Sequence, residues 1–284
     1  MLGTINNSKT SWQLTRASVD GLAKSIESGQ TEALASYLGV MARFHTYSAR
    51  NALLIAAQRP TATHLEGIRS WRELGRFVRP GEKGIFIFAP TVAVKNNHQR
   101  ADEETNGAQP ETQLLGFRGV YVFDIEQTGG DELSQPRPIV SLKDTLSLLV
   151  HFAESEQMKI EYSEKIAPAK AISYRGTIRL LPKLKPAEAF PALLREIANQ
   201  MLFTTRRRTF VTRAIHQQEA KAVAYVVLEA LGLESKADFR DSQLYYGDSH
   251  LLAESLQIVH RIAARILGAI SPESAPAKFA QGVN

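Results

Sequence analysis

The stretch from Gln127 to Pro138 is the feature that most restricts how this chain can fold. It places two glycines and two prolines among polar residues, a composition that favours turns and linkers over regular structure. At 284 residues the chain is longer than one average domain requires. We therefore expect two domains, residues 1–130 and residues 140–284, each with a core of its own.

The residue pattern on the two sides of this stretch predicts a mixed α+β fold. On the N-terminal side, helical periodicity extends from about residue 12 to residue 58, a short helix is expected around Trp71, and strands are expected at 85–90 and 120–124. Residues 95–112 are too polar to be buried and predict a loop or hairpin tip. On the C-terminal side we expect a helix from about Leu142, three short strands and three closing helices.

Composition excludes several classes of protein. The chain has no cysteine, so disulfides, thiolate metal sites and cysteine nucleophiles are absent. No stretch approaches the roughly 18 apolar residues of a membrane span, and the N-terminus lacks the apolar core of a signal peptide. We expect a cytoplasmic protein with no membrane partner.

The positive charge is concentrated in one segment of the N-terminal half. The whole chain has a formal net charge of +5, and residues 36–90 alone carry eight lysines and arginines against three glutamates, which is also +5. Aromatic residues alternate with these cations. Single-stranded nucleic acid is bound by such a combination, because cations contact phosphates and flat rings stack on unpaired bases. The alternative is that these aromatic rings fill a small core and the arginines cover its surface.

A resemblance favours the nucleic-acid interpretation. The stretch 47–55, the segments 62–64, 67–71, 74–76 and 81–85, and finally 123–128, resemble in order the N-terminal domain of ArdC antirestriction proteins. The resemblance covers roughly residues 10–130 and implies that this half binds single-stranded DNA. Our candidate DNA contacts are chosen for charge, amide or ring near helix starts and turns: Tyr47, Arg50, Asn51, Trp71, Arg76, Arg79 and Lys83.

Two glycines enclose one of these candidates. Gly81 and Gly84 lie on either side of Glu82 and Lys83, which predicts a tight turn. Such a turn either presents Lys83 to a phosphate or is a plain hairpin, and both interpretations stay open.

The second half contains a degenerate metal-binding motif. Zinc peptidases of the helical type place two histidines four residues apart, with a glutamate after the first as general base. Here Arg195 and Asn199 occupy the histidine positions and Glu196 keeps the glutamate. The surrounding sequence resembles the zincin-like, metallopeptidase-type C-terminal domain of ArdC proteins, and this resemblance implies that Glu219 corresponds to the third metal ligand.

These substitutions predict a protein without metal, cofactor or catalytic activity. Arginine stays protonated and only donates hydrogen bonds, and an amide oxygen is a poor zinc ligand. Without a metal, the vestigial Glu196 has no activated water to deprotonate. Burying Glu196 and Glu219 together requires a cation, and we hypothesise that the guanidinium of Arg195 pairs with Glu219.

Three alternatives remain open at this stage. A metal site rebuilt from Glu196, His216 and Glu219 would make the chain a hydrolase, whereas His216, His151, His250 and His260 are otherwise expected to be polar surface residues. The run Arg206–Arg208 is either a solvated loop or a second phosphate contact. Finally, the degenerate peptidase groove could hold a host or phage protein. The leading prediction is a non-catalytic single-stranded DNA-binding protein of the antirestriction or mobile-element type.

Overall fold

The fold is described from a computed structural model, which describes residues 6–30, 32–94, 112–133, 141–235, 239 and 248–271. The predicted polar loop at 95–112, apart from Thr112, and the linker residues 134–140 lie outside the described residues.

The residues of the first half that the structure describes form four α-helices and five strands. The helices are α1 (Asn6–Glu27), α2 (Glu32–Arg43), α3 (Ala49–Gln58) and α4 (Ile68–Glu73). The strands are β1 (Leu65–Glu66), β2 (Arg76–Val78), β3 (Ile85–Val94), β4 (Thr112–Asp124) and β5 (Thr128–Gly130). Strands β1, β4 and β3 form an antiparallel sheet in that order, and β2 pairs with β5. Ser48 begins α3 by accepting the backbone N–H of Asn51, as a serine N-cap does.

In the described residues of the second half, four α-helices lie around a small sheet. Helix α5 (Leu142–Ser155) leads to β6 (Lys159–Tyr162), β7 (Ala171–Tyr174) and β8 (Thr177–Leu180), followed by α6 (Pro186–Thr204), α7 (Arg213–Ala230) and α8 (Ser249–Ile270). The strand order is β6, β8, β7, with β6 parallel and β7 antiparallel to β8. The tight turn expected between β7 and β8 is present, with positive φ at Arg175 and Gly176.

The mixed α+β prediction is confirmed, and the predicted helices and longer strands are present close to their expected limits. The prediction that the turn-rich stretch is a linker is partly wrong, because Thr128–Gly130 forms β5 against β2. The pairing partner lies fifty residues earlier in the chain, so local composition alone does not reveal this strand.

Two hydrophobic cores are present, and the larger one includes residues from both halves. The smaller core joins the sheet to α2 and α3 through residues such as Phe44, Ile55, Ile87 and Val122. The larger core packs the apolar faces of α1 and α2 against α5 to α8. Its N-terminal members include Leu22, Ile26, Leu34, Leu38 and Met41. The expectation that each half buries a core of its own is therefore wrong for α1 and α2.

Two amide side chains of α3 cover the outer edge of β3. The Asn51 side chain donates to the Phe88 carbonyl at 2.8 Å and accepts the Phe88 N–H at 2.9 Å. Gln58, two helical turns later, forms the same pair of bonds with Phe86, each at 2.9 Å. The backbone groups that an edge strand leaves open are therefore satisfied by side chains.

No helix in the described part of the chain is long and apolar enough to cross a membrane.

Candidate nucleic-acid interface and degenerate metal site

The outer surface of the β3–β4 pair carries a row of aromatic side chains. Phe86 lies opposite Tyr121, and Pro90 lies opposite Phe117, with Phe88 and Gly119 between them. Residues opposite each other, and every second residue along a strand, share one face of a sheet. Tyr121 is 62% exposed and Phe117 is 67% exposed. We call Phe86, Phe88, Phe117 and Tyr121 the aromatic face.

The rings of the aromatic face support each other. The Phe86 ring lies edge-on to Phe88 at 5.4 Å and to Tyr121 at 5.6 Å between centroids. Because Phe86 is buried beneath its neighbours, it holds the more exposed rings in place. Ile85 and Ile87 point into the smaller core on the opposite side of β3.

Arg50 lies at the border of the aromatic face. Its guanidinium carbon is 3.9 Å from the centre of the Phe88 ring, a cation–π contact. Partial burial lowers the pKa of Arg50, which nevertheless stays charged at neutral pH. Tyr47 lies nearby, half-buried and edge-on to Phe44 at 5.7 Å. Burial raises the pKa of the Tyr47 phenol, so its hydroxyl is neutral.

Lys83 is exposed on the turn that leads into β3. Gly81 has a φ of 85°, as the predicted turn requires. Gln127 fixes the turn by donating to Glu82 at 3.0 Å and to the Lys83 carbonyl at 2.9 Å. A Cβ at Gly84 would lie 2.8 Å from the Tyr121 side chain, so the turn lies directly against the aromatic face. Lys83 is therefore the residue before a glycine that packs against Tyr121.

The prediction that Trp71 contacts DNA is wrong. Its side chain is 0% exposed, and its indole N–H donates to the Phe123 carbonyl at 3.0 Å. A ring enclosed in this way has no face available to a base. Trp71 instead fixes α4 against the end of β4.

Three further candidates are occupied within the protein. Both polar atoms of the Asn51 amide bond to Phe88, so it has a structural role. Arg76 donates to the Thr128 hydroxyl at 2.8 Å and also to the Asp131 carbonyl. Arg79 bonds to Glu82 at 3.2 Å and to the Glu126 carbonyl. The geometry of these side chains does not favour phosphate contacts.

Phe117 and Tyr121 are the exposed rings that the sequence interpretation missed. The alternation from Phe117 through Phe123 places every second residue on one side of a strand, which was the available signal. Only residues 120–124 were assigned to the strand, so Phe117 lay between the predicted strand and the loop predicted at 95–112 and was assigned to neither.

In the second half, the degenerate motif lies on α6 beside β7. The Ser173 hydroxyl donates to Glu196 at 2.7 Å and accepts the Asn199 amide N–H at 3.2 Å. Asn199, at the second histidine position, is thus part of a hydrogen-bonded chain from β7 to α6. Arg195 is 53% exposed on its side chain and lies 3.6 Å from the Glu196 carboxylate.

The predicted pairing of Arg195 with Glu219 is wrong, because Arg207 holds that carboxylate. Two guanidinium nitrogens of Arg207 donate to the two oxygens of Glu219 at 2.6 and 2.7 Å. The Ser255 hydroxyl, from α8, donates to the same carboxylate at 2.5 Å. Glu219 is 0% exposed and the Arg207 side chain is 8% exposed. A buried carboxylate was expected to pair with a cation, and Glu219 does so. The cation, however, comes from the loop after α6.

His216 is buried and is not the surface residue that was expected. Its ring lies 4.7 Å from that of Phe203. Burial lowers the pKa of His216, and the nearby Arg207 lowers it further. No three histidine or carboxylate side chains in the described part of the chain could together hold a metal ion. Glu196, His216 and Glu219 therefore do not form the rebuilt site.

The two larger cavities in the described part of the chain both have lining residues on α8. The first, which we call the basic cavity, has a volume of about 740 Å³ and is lined from α1, α3 and α8 by residues that include Arg16, Arg50, His260 and Arg261. His260 is buried, not exposed as expected, and burial lowers its pKa to about 4. The second, which we call the arginine cavity, has a volume of about 690 Å³ and lies between α6, α8 and the β7–β8 turn.

Comparison with known proteins confirms the resemblance. Residues 13–123 match a family model described as the N-terminal domain of the anti-restriction factor ArdC. The fold is similar to crystal structures of the antirestriction ArdC protein from the R388 plasmid, with a TM-score of 0.53 for the metal-free form and 0.52 for the Mn(II)-bound form. Each match has 17% sequence identity and covers 92% of this chain and 99% of that chain. At this identity the likeness shows the fold. No curated protein matches the chain in sequence.

The residues at the degenerate motif do not fit a divalent metal. A metal site needs lone pairs directed at one point, and Arg195 supplies none. The Asn199 side chain bonds to Ser173, and the oxygens of Glu219 already accept from Arg207 and Ser255. A metal ion at Glu219 would have to displace a guanidinium that makes two hydrogen bonds to the same carboxylate.

Proposed function

We propose that this chain binds single-stranded DNA on its aromatic face and acts, without catalysis, as an antirestriction-type protein that covers the strand. The observation that carries the proposal is the pair of exposed rings on β4, Phe117 and Tyr121, next to Phe88 and the Arg50 guanidinium that lies over it. The match of residues 13–123 to the ArdC N-terminal domain supports the same function.

The chemistry of the aromatic face suits unpaired bases. Base stacking on an exposed aromatic side chain contributes about 1–3 kcal/mol per base and tolerates any sequence. Arg50, on α3 over the Phe88 ring, and Lys83, exposed in the turn before β3, supply positive charge for the phosphates between stacked bases. Paired bases in a duplex do not offer their faces in this way, so single strands are favoured.

Fluorescence anisotropy with a labelled oligothymidylate tests this proposal. Tyr121→Ala and Phe117→Ala should each weaken binding by about 1–3 kcal/mol, or roughly five- to hundredfold. Tyr162→Ala is the matched control, because Tyr162 is 65% exposed on a different sheet. Equal affinity for all three variants and the wild type would refute the proposed surface. Binding that does not weaken with added salt would refute the phosphate contacts.

The non-catalytic part of the proposal rests on the side chains at the motif. With Arg195 and Asn199 at the histidine positions and Glu219 held by Arg207, this motif lacks the ligands that would hold a metal and activate a water molecule. Metal analysis of the purified protein after dialysis against Zn²⁺ or Mn²⁺ should find substoichiometric metal. One tightly held ion per chain would overturn this conclusion.

A protein partner in the degenerate groove is the second candidate. Strand β7 lies at the edge of its sheet, and Ile172 and Tyr174 are exposed on it. Edge strands can accept an extended peptide by adding a strand. This function would be supported if the wild type recovers a protein partner that the Ile172→Asp variant does not, while both bind DNA equally well.

A further inference from the structure

The arginine cavity has a strongly positive lining. Arg175, Arg206, Arg261 and Arg265 all line it. Among the described lining residues, Glu156 is the one carboxylate, and it pairs with Arg265 at 2.6 Å. Three guanidinium charges are therefore left without a carboxylate in the lining.

This arrangement is suited to an anion with several oxygen acceptors. Guanidinium groups match phosphate with paired N–H donors and stay charged at every physiological pH. The volume of about 690 Å³ lies within the range of pockets that enclose small ligands or chain segments. The arginines come from the β7–β8 turn, the loop after α6 and α8, so they surround the space from several sides.

Two arginines relate the arginine cavity to the aromatic face. Arg261 on α8 lines both the arginine cavity and the basic cavity. Arg50 lines the basic cavity and also lies over the Phe88 ring. The basic cavity therefore has one arginine in common with the arginine cavity and another in contact with the aromatic face.

We infer that the arginine cavity binds phosphates of the same DNA strand whose bases stack on the aromatic face. The inference rests on the proposed function and extends it, because the peptidase-like half then serves as part of the DNA-binding surface. A short oligonucleotide occupies the aromatic face alone, whereas a longer one also reaches the arginine cavity.

Binding of two oligothymidylates to the full chain tests this inference. One is a hexamer, near the lower end of the range of about 4–16 nucleotides that a single binding fold covers, and the other has about twenty nucleotides, which exceeds that range. Arg206→Gln and Arg175→Gln should leave hexamer affinity unchanged. Each should lower affinity for the longer strand about fivefold at 0.1 M salt and reduce its salt slope by about 0.7, because one phosphate contact is lost.

Lys143→Gln is the control for the change of charge. Lys143 is exposed near the start of α5, about 20 Å along the helix from Glu156 at its other end. This variant should bind both oligonucleotides as the wild type does. Thermal unfolding of each variant verifies that the fold is intact, as expected for exposed side chains.

The outcomes separate the inference from the proposed function. If the wild type binds neither oligonucleotide, both fail. If it binds both with dependence on Tyr121, but Arg206→Gln and Arg175→Gln bind the longer strand normally, the inference alone is overturned. Competition with thymidine monophosphate is the last measurement. If the monophosphate displaces the longer strand but not the hexamer, the inference is supported. Arg206-dependent binding of the monophosphate without that competition overturns it, since the cavity would then serve a free nucleotide.

Discussion

Replacing Arg207 by methionine should destabilise this protein by about 3–5 kcal/mol, the usual effect of removing one partner of a buried ion pair. Glu219 is fully enclosed, and Arg207 supplies two of the hydrogen bonds to its carboxylate. Methionine leaves the Ser255 hydroxyl as the remaining donor to a charged group that water cannot reach. Most of the loss is the free energy of an uncompensated buried charge.

Equilibrium unfolding in urea, monitored by circular dichroism, measures this effect. Arg206→Met is the matched control: it removes the same type of side chain from the preceding, exposed position and should change the free energy of unfolding by about 0.5 kcal/mol or less. The double variant Arg207→Met with Glu219→Leu removes both charges and should recover most of the lost stability.

This prediction is refuted if Arg207→Met changes the free energy of unfolding no more than Arg206→Met does. It is also refuted if the double variant is less stable than Arg207→Met, because the loss would then come from packing and not from an unpaired carboxylate.

Three further predictions address other parts of the fold. Trp71→Phe should lower the free energy of unfolding by about 1–3 kcal/mol, because the Phe123 carbonyl loses its donor, while DNA affinity in an anisotropy titration stays that of the wild type. Asn51→Leu should uncover the edge of β3 and increase aggregation in light scattering, whereas Gln217→Leu, at an exposed position of α7, should not. Burial lowers the pKa of His260 from its ordinary 6.5 to about 4. The free energy of unfolding should therefore decrease by at most about 3 kcal/mol on this account as the pH falls from 6.5 toward 4. Urea titrations across that range should show a smaller decrease for His260→Gln than for the wild type, and an equal decrease in both proteins would contradict this assignment.

The elements of the fold were predictable from local pattern, since helices α5 to α8 and the β3–β4 pair follow clear periodicities. Strands β2 and β5 were not, because each has three residues and exists through pairing with a distant segment. The sharing of the larger core was also hidden, since periodicity identifies the apolar face of α1 without identifying what covers it.

Site residues were harder to predict, because residue type does not reveal whether a polar group is already satisfied. Asn51 and Trp71 have the chemistry of DNA contacts, but their hydrogen bonds are made to the backbone of β3 and β4. Within the run Arg206–Arg208, one residue is buried against Glu219 while its neighbours are exposed. Three identical neighbours carry no local signal that distinguishes the middle one.

The packing of α1 and α2 restricts how such a protein can change during evolution. Their apolar side chains, among them Leu38 and Met41, are enclosed by helices of the C-terminal half. Loss of that half would leave these side chains exposed to water and would destabilise the first half. Side chains at positions such as 195 and 199 can therefore change during evolution, whereas selection for stability opposes deletion of the helices around them.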